Sequence, residues 1–285
     1  MRRAFVLLSG GVDSTTCLHR AIVDFTPPKE LEEIKYRGLH VTDLERVDWV
    51  EAISVDYGQR HRKEAEYAAR TCAKFGIRHQ VLSVRGILDG AGVMLADASV
   101  QIPSISYDQI RGVSPTYVPF RNGTLLSLIT AHAQKWVNEQ AEKRKDALRE
   151  EARMLDGDVV DLRDYSEAAK EQMKDVAGIY FGAHAEDAAN WAYPDCTPEF
   201  IGAMANAIYV GSYGCIRLYT PLEWSDKAAI IRQGEELGVD WANTWSCYAG
   251  GEVHCGECPT CRARRAGFAA AGVKDPTVYA RDAAA

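Results

Sequence analysis

Ala4-Phe5-Val6-Leu7-Leu8-Ser9-Gly10-Gly11-Val12-Asp13-Ser14 sets a short apolar run directly against a serine, two glycines and a polar helix start. Consecutive apolar residues ahead of a turn signal read as a buried strand, and the residues behind the glycines read as a helix opened by Asp13 and Ser14. A strand that passes through glycines into a helix is an anion cradle. Glycine lacks the Cβ that holds a backbone away from a phosphate. The helix start offers unpaired N–H groups at the positive end of its dipole. No Gly-Lys-Ser/Thr follows, so this is not the P-loop of kinases and GTPases. The bland reading is a serine–glycine turn between strand and helix, and the strand–loop–helix context favours the cradle.

Outward from this stretch, short apolar runs alternate with helical patterns, the mark of a parallel α/β sheet. Strands are expected at Ala4–Leu8, Ala52–Val55, Gln80–Val84, Val176–Gly182 and Cys215–Pro221. Helices are expected over Arg60–Phe75, stopped by Gly76, and over Asn122–Val137. Thr197-Pro198-Glu199 combines a cap, a proline at the first helical position and a first-turn acid, and Ser225-Asp226 opens a helix closed by Gly238. Two charged stretches, Pro27–Trp49 and Asn138–Lys174, look like insertions, the second extending the preceding helix into solvent. The expected organisation is a synthase domain over residues 1–240, with insertions at about 27–49 and 138–174, and a C-terminal segment over 241–285 packed on it.

The chain has 285 residues, 47% hydrophobic and 26% charged, the make-up of a soluble globule with a substantial core. No apolar run approaches the roughly 20 residues of a membrane span. Met1-Arg2-Arg3 leads into a first strand, not a signal peptide, so a cytoplasmic location is expected. The net charge of −7 argues for small-molecule substrates over direct nucleic-acid binding, which usually needs a basic surplus.

Four further motifs carry chemistry. Val55-Asp56-Tyr57-Gly58-Gln59-Arg60-His61 sits at the end of the second strand, the ligand edge of an open sheet. Tyr117-Val118-Pro119-Phe120-Arg121-Asn122 places an arginine at a helix start, where its charge opposes the dipole unless an anion offsets it. Glu186 and Asp187, then Tyr193-Pro194-Asp195-Cys196 and Glu199, gather carboxylates behind the fourth strand, suited to the N–H donors of a guanine-like edge. Asp195 and Glu199 read equally as a turn residue and a first-turn helix acid. Cys247, Cys255, Cys258 and Cys261 offer four thiolates with short gaps, a closed site of the structural-zinc kind; an iron–sulfur cluster also accepts four cysteines. Cys17, Cys72, Cys196 and Cys215 stand alone and read mostly as packing.

Ser9-Gly10-Gly11-Val12-Asp13-Ser14 matches the signature of the PP-loop ATP pyrophosphatases, and with the other four motifs, in this order, the chain resembles their 7-cyano-7-deazaguanine synthase family from Arg3 to about Tyr279. Phe120 stands where that family often has glycine, and Thr197 where it often has arginine. The resemblance implies a Rossmann-like open parallel sheet with helices on both faces plus a C-terminal zinc segment. It implies a carbon–nitrogen ligase that uses ATP and Mg²⁺ to turn 7-carboxy-7-deazaguanine and ammonia into a nitrile by successive adenylation, amidation and dehydration. ATP would be held by Leu8, Ser9, Gly10, Gly11, Val12, Asp13, Ser14, Thr15, Asp56, Tyr57, Gln59, Arg60 and His61. The deazaguanine would be held by Arg121, Asn122, Glu186, Asp187, Tyr193, Asp195 and Glu199, and Zn²⁺ by the four clustered cysteines. Ser9, Asp13, Ser14 and Arg121 would carry catalysis, with Asp13 and Ser14 outside the core. A homodimer is compatible with all of this. Two rivals remain: a tRNA-thiolating PP-loop enzyme, which predicts a basic surface and a reactive cysteine, and a non-catalytic homologue serving as a nucleotide-binding partner, against which the intact Ser9–Ser14 and Tyr193–Cys196 motifs argue.

Overall fold

The structure is a computed structural model that describes residues 2–37, 43–59, 63–87, 109–110, 112–154 and 162–283. Five parallel strands, β1 (Arg3–Leu7), β2 (Val50–Asp56), β3 (Arg78–Ser83), β4 (Ala177–Tyr180) and β5 (Ile216–Tyr219), form one sheet in the order β3-β2-β1-β4-β5. All five expected strands are present. The chain builds outward from β1 to one edge and then restarts on the other side, so the crossover direction reverses between β1 and β4. That reversal opens a crevice at the carboxyl ends of the strands.

Alternation along β1 explains why helices cover both faces. Ala4, Val6 and Leu8 point into a core shared with α1 (Val12–Phe25), α3 (Lys63–Lys74), α8 (Lys227–Glu236) and Phe268 of α9 (Pro259–Ala271). Phe5 and Leu7 point the other way, into a core with α4 (Arg121–Met154) and α7 (Pro198–Gly211). Side chains as deeply buried as Phe5, Leu18, Ile22 and Ile53 each contribute about 1.5–3 kcal/mol relative to exposure.

The insertions are more structured than their charge suggests. The first carries α2 (Pro28–Arg37) and ends in core residues: Val47 and Trp49 are buried, and the Trp49 indole N–H donates to the Ile22 carbonyl at 3.0 Å. The second continues α4 without a break to Met154, through pairs such as Lys145–Glu142 and Arg149–Asp146, and then supplies α5 (Leu162–Glu171), which packs against α4. The C-terminal segment lies chiefly on α8 through α9. At the closest approach Gly267 leaves room for Lys227 and Ile231, whose atoms would stand 2.5 and 3.0 Å from a Cβ there.

Candidate active site

A cavity of about 510 Å³ fills the crevice. The carboxyl ends of β1, β2 and β4 form its floor, through Leu8, Ser9, Ile53–Tyr57 and Phe181–His184. Its lining includes Leu8, Ser9, Gly11, Val12, Asp13 and Ser14, together with Asp56, Tyr57, Gln59, Arg121, Asn122 and Asp187.

The cradle differs from its expected form in four respects. The helix begins at Val12, with Gly11 as a cap that has no side chain to take up the first-turn N–H groups. Ser14 turns back instead: its Oγ accepts from the Ser9 N–H at 3.1 Å and lies 2.9 Å from Ser9 Oγ, so it braces the loop and is only 7% exposed. Gly10 faces away from the cavity, with φ +90°, and a Cβ there would stand 2.3 Å from the Glu64 carbonyl oxygen. It is small to admit α3, not a phosphate. Thr15 is buried and also absent from the wall.

Asp13 is not isolated. Lys227, the first residue of α8, places Nζ 2.6 Å from Asp13 Oδ1 and 3.1 Å from His184 Nε2. Burial pulls the Asp13 pKa up, but Lys227 and His184 outweigh it and hold the carboxyl below its ordinary value. His184 Nε2 also lies 3.3 Å from Asp187 Oδ2, while its buried Nδ1 has no hydrogen-bond partner. The backbone N–H of Lys227 donates to Glu186 Oε1 at 3.0 Å. Glu186 therefore caps α8 and does not line the cavity.

At the other end, α4 begins at Arg121. The anion that offsets this arginine's opposition to the helix dipole is supplied by the protein: Asp195 Oδ2 accepts from the Asn122 backbone N–H at 2.9 Å. Asn122 Nδ2 returns bonds to the Asp195 carbonyl at 3.1 Å and to Cys196 Sγ at 3.2 Å. Burial raises the Asp195 pKa, opposed by that backbone donor and by Arg121. Burial also disfavours charge on Arg121, yet Tyr57, Tyr248, Cys196 and Asp195 around it hold its pKa above the ordinary value. Burial pushes the Tyr57 and Tyr248 hydroxyls and the Cys196 thiol up, so all three stay protonated near neutrality.

The remaining expected substrate residues do not reach the cavity. The Tyr193 hydroxyl is engaged by Thr116 Oγ1 at 2.6 Å and Ser114 Oγ at 3.1 Å, pinning the loop that leads to Arg121. Glu199 is exposed in the first turn of α7. Arg60 and His61 lie outside the described residues. Asp56 lines the cavity but spends its carboxylate on the Gly58 N–H and on Arg85 Nε at 2.8 Å. Lys227, Trp245, Ser246, Tyr248 and Arg264 line the cavity from outside the motifs, and His184, Cys196 and Thr260 line it from within motifs that did not single them out as ligands. Only the lysine opening a capped helix carried a local signal.

The two departures from the family pattern have physical accounts. Phe120 adopts φ 54°, the left-handed region glycine enters freely, at a cost of about 1–2 kcal/mol for a residue with a Cβ. Its ring packs edge-on to Phe200, with centroids 5.9 Å apart. Thr197 caps α7, its Oγ1 accepting from the Phe200 N–H at 3.3 Å.

One ligand sulfur from each of Cys247, Cys255, Cys258 and Cys261 lies within 4.8 Å of all the others. Cys255 and Cys261 Sγ are 3.9 Å apart, close to the roughly 3.8 Å edge of a tetrahedron with 2.3 Å metal–sulfur bonds. Backbone N–H groups of Cys255, Glu257 and Cys258 point at cluster sulfurs at 3.3, 3.4 and 3.3 Å. Donors of this kind suit thiolates, so the residues fit a tetrahedral metal ion.

An anion cradle at the switch point of a parallel sheet, beside a closed four-cysteine site, defines a nucleotide-binding α/β protein of the PP-loop kind. The chain belongs to the family described as Queuosine biosynthesis protein QueC, whose model matches residues 38–141 and 165–272. The break in that match falls within the second charged insertion. A 7-cyano-7-deazaguanine synthase from Thiobacillus denitrificans is 38% identical over 98% of each chain. Proteins of the same name from Chromohalobacter salexigens and Caldicellulosiruptor bescii are each 34% identical, covering 98% of this chain and 86% of the first, and 97% of this chain and 97% of the second. A solved structure, a predicted subunit of tRNA methyltransferase from Methanocaldococcus jannaschii, aligns over 83% of this chain and 75% of its own at 12% identity and TM-score 0.30, a likeness that carries no argument. No helix among the described residues is long and apolar enough to cross a membrane.

Proposed function

We propose that this chain is an ATP-dependent carbon–nitrogen ligase, acting in the cytoplasm, that converts 7-carboxy-7-deazaguanine and ammonia to 7-cyano-7-deazaguanine. The observation that carries the reading is one cavity holding an open helix start at one end and Arg121 with buried aromatic hydroxyls at the other. Membership of the family and the names of its relatives supply the substrate.

In this reading the carboxylate of the base attacks the α-phosphorus of ATP. The first-turn N–H groups of α1 hold the departing pyrophosphate, with the loop kept in shape by Ser9 and Ser14. Lys227 supplies countercharge beside Asp13, which is ionised at neutral pH and able to meet the divalent ion that travels with ATP. Mg²⁺, when bound, neutralises phosphate charge. Arg121 holds the substrate carboxylate, and Asp187 accepts from the N–H edge of the base. Ammonia displaces AMP to leave the amide, whose oxygen is adenylated by a second ATP before the nitrile forms. The chain's work is alignment, a contribution of up to about 7–11 kcal/mol when reacting atoms are well placed. Cys196 stays a thiol and is not required as a nucleophile, which counts against a tRNA-thiolating enzyme, as does the net charge of −7. The four clustered cysteines would hold Zn²⁺ as a structural ion, since protein sulfur fills every position of a tetrahedron.

Incubation with ATP, ammonium and 7-carboxy-7-deazaguanine should yield the nitrile by mass, with AMP and pyrophosphate as the direct nucleotide products. Release of ADP and orthophosphate instead would overturn the reading.

A further inference from the structure

Gly267 stands in the interior of α9, where a glycine weakens a helix that alanine would strengthen. Packing explains its place. A Cβ there would stand 2.5 Å from Lys227 Cγ, 3.0 Å from Lys227 Cβ and 3.0 Å from Ile231 Cδ1. The atoms it would meet on Lys227 are the root of the side chain, not its flexible end. Cβ is fixed by the backbone, and Cγ moves only by a rotation that carries the whole tip with it. Lys227 is buried, and that tip lies 2.6 Å from Asp13 Oδ1 and 3.1 Å from His184 Nε2.

Both helices are pinned near this contact. Lys227 opens α8, where its own N–H donates to Glu186 Oε1 at 3.0 Å and the Asp226 carboxylate accepts from the Ala229 N–H at 2.6 Å. On α9, Arg264 lies one turn before Gly267 and is 1% exposed. It donates to Thr244 Oγ1 at 2.7 Å, to the Trp241 carbonyl at 3.0 Å and to Asp275 Oδ1 at 3.2 Å. Cys258 caps the start of α9 and Cys261 lies in its first turn, so two of the four clustered cysteines belong to that end. A side chain at position 267 must therefore displace the lysine more readily than either helix.

We infer that Gly267 is a positioning residue for the phosphate end: the notch it leaves in α9 seats the stem of Lys227 and aims its ammonium at Asp13. The C-terminal segment then meets the cradle twice, through the Trp245 N–H, which donates to the Gly10 carbonyl at 2.8 Å, and through α8. The inference rests on the role given above to Lys227 beside Asp13.

The test is a double-mutant cycle of Gly267→Ala and Lys227→Met, read as AMP release with ATP, ammonium and 7-carboxy-7-deazaguanine, with the melting temperature of every variant measured alongside. With the lysine present, Gly267→Ala should lower kcat about tenfold or more, as a small misplacement does in an aligned site, and leave the KM for the carboxy-deazaguanine unchanged. In the Lys227→Met background the same change should cost less than about twofold. Melting should fall equally in both backgrounds, because methionine keeps the Cβ and Cγ that the new methyl meets. Gly234→Ala is the comparison: its Cβ would meet Trp241 at 2.2 Å and Thr16 at 3.1 Å, so its effect on turnover should be the same with and without the lysine. Parent-like turnover of Gly267→Ala, or a loss of equal size in both backgrounds, overturns this inference alone. Parent-like turnover of Lys227→Met, or a parent enzyme that releases no AMP, overturns the reading beneath it, and this inference with it. If Gly267→Ala melts below the assay temperature, the cycle runs in an Ile231→Val background, which removes the δ carbon at 3.0 Å, and the same outcomes decide.

Discussion

At the proposed phosphate end of the cavity, the contiguous stretch Ser9–Ser14 and the backbone of one helix start make the cradle; at the proposed base end, side chains from separated stretches must meet. Ser9–Ser14 takes its shape chiefly from the turn between β1 and α1 and from the Ser9–Ser14 bonds within it. Arg121, by contrast, is held through Asn122 to Asp195, more than seventy residues later, while Tyr193 pins Ser114 and Thr116 just upstream. The contrast is one of local against long-range assembly. A contiguous loop uses backbone N–H groups whatever its neighbours do. The base end depends on buried polar bonds that have no substitute once one partner is lost.

The largest effect should come from breaking the local end at its closest approach. Gly10→Ala sets a Cβ against the α3 backbone, in a conformation that already disfavours side chains. Backbone cannot swing aside as a side chain can, so a loss of about 3 kcal/mol or more is expected, together with turnover. Thermal melts check it, and a parent-like melt would mean that α3 does not rest on this loop.

Lys227→Met tests whether the phosphate end is as local as it looks. Turnover at neutral pH should fall about 100-fold. In the parent, the depressed Asp13 pKa means the stabilisation from this pair is fully present above the ordinary aspartate value and is lost only as pH falls through the depressed one. Without the lysine, burial dominates and Asp13 takes up its proton at higher pH. The acid limb of the pH–rate profile should therefore move upward, and an unmoved limb would break the assignment.

Asp195→Ala probes the long-range end. It leaves the Asn122 N–H buried without an acceptor, at a cost of about 1–3 kcal/mol, and loosens Arg121. Asp195→Asn keeps an acceptor and should recover most of the stability. Equal melting of the two variants would show that the carboxylate's charge, not its hydrogen bond, holds α4. The smallest effect belongs to the α4 extension: replacing Lys145 and Arg149 by alanine should change melting least and leave turnover unchanged, because pairs one turn apart whose acidic partner is exposed contribute little.

Legibility followed the same division. All five strands and the cradle could be read, because apolar runs, glycines and caps act within a few residues. The inward or outward sense of single motif residues could not. Tyr193, Asp195 and Glu186 were read as substrate ligands, and the structure engages each with protein: a loop, a helix start and a helix cap. A carboxylate that could accept from a base N–H can equally accept from a backbone N–H, and sequence does not say which donor comes nearer.

The residues alone determined a parallel α/β sheet, a glycine loop running into a helix behind β1 and a cluster of four cysteines, since periodicity, glycine placement and cysteine spacing are properties of short stretches. Tertiary structure alone decided that Lys227 stands on Asp13, that Gly10 serves α3, and that Ser246 and Thr260 line the same cavity as the cradle. Those facts turn on which helix starts share one crevice, and that is set by strand order and by the packing of α8 and α9, which bring together residues as distant as Asp13 and Lys227, 214 positions apart.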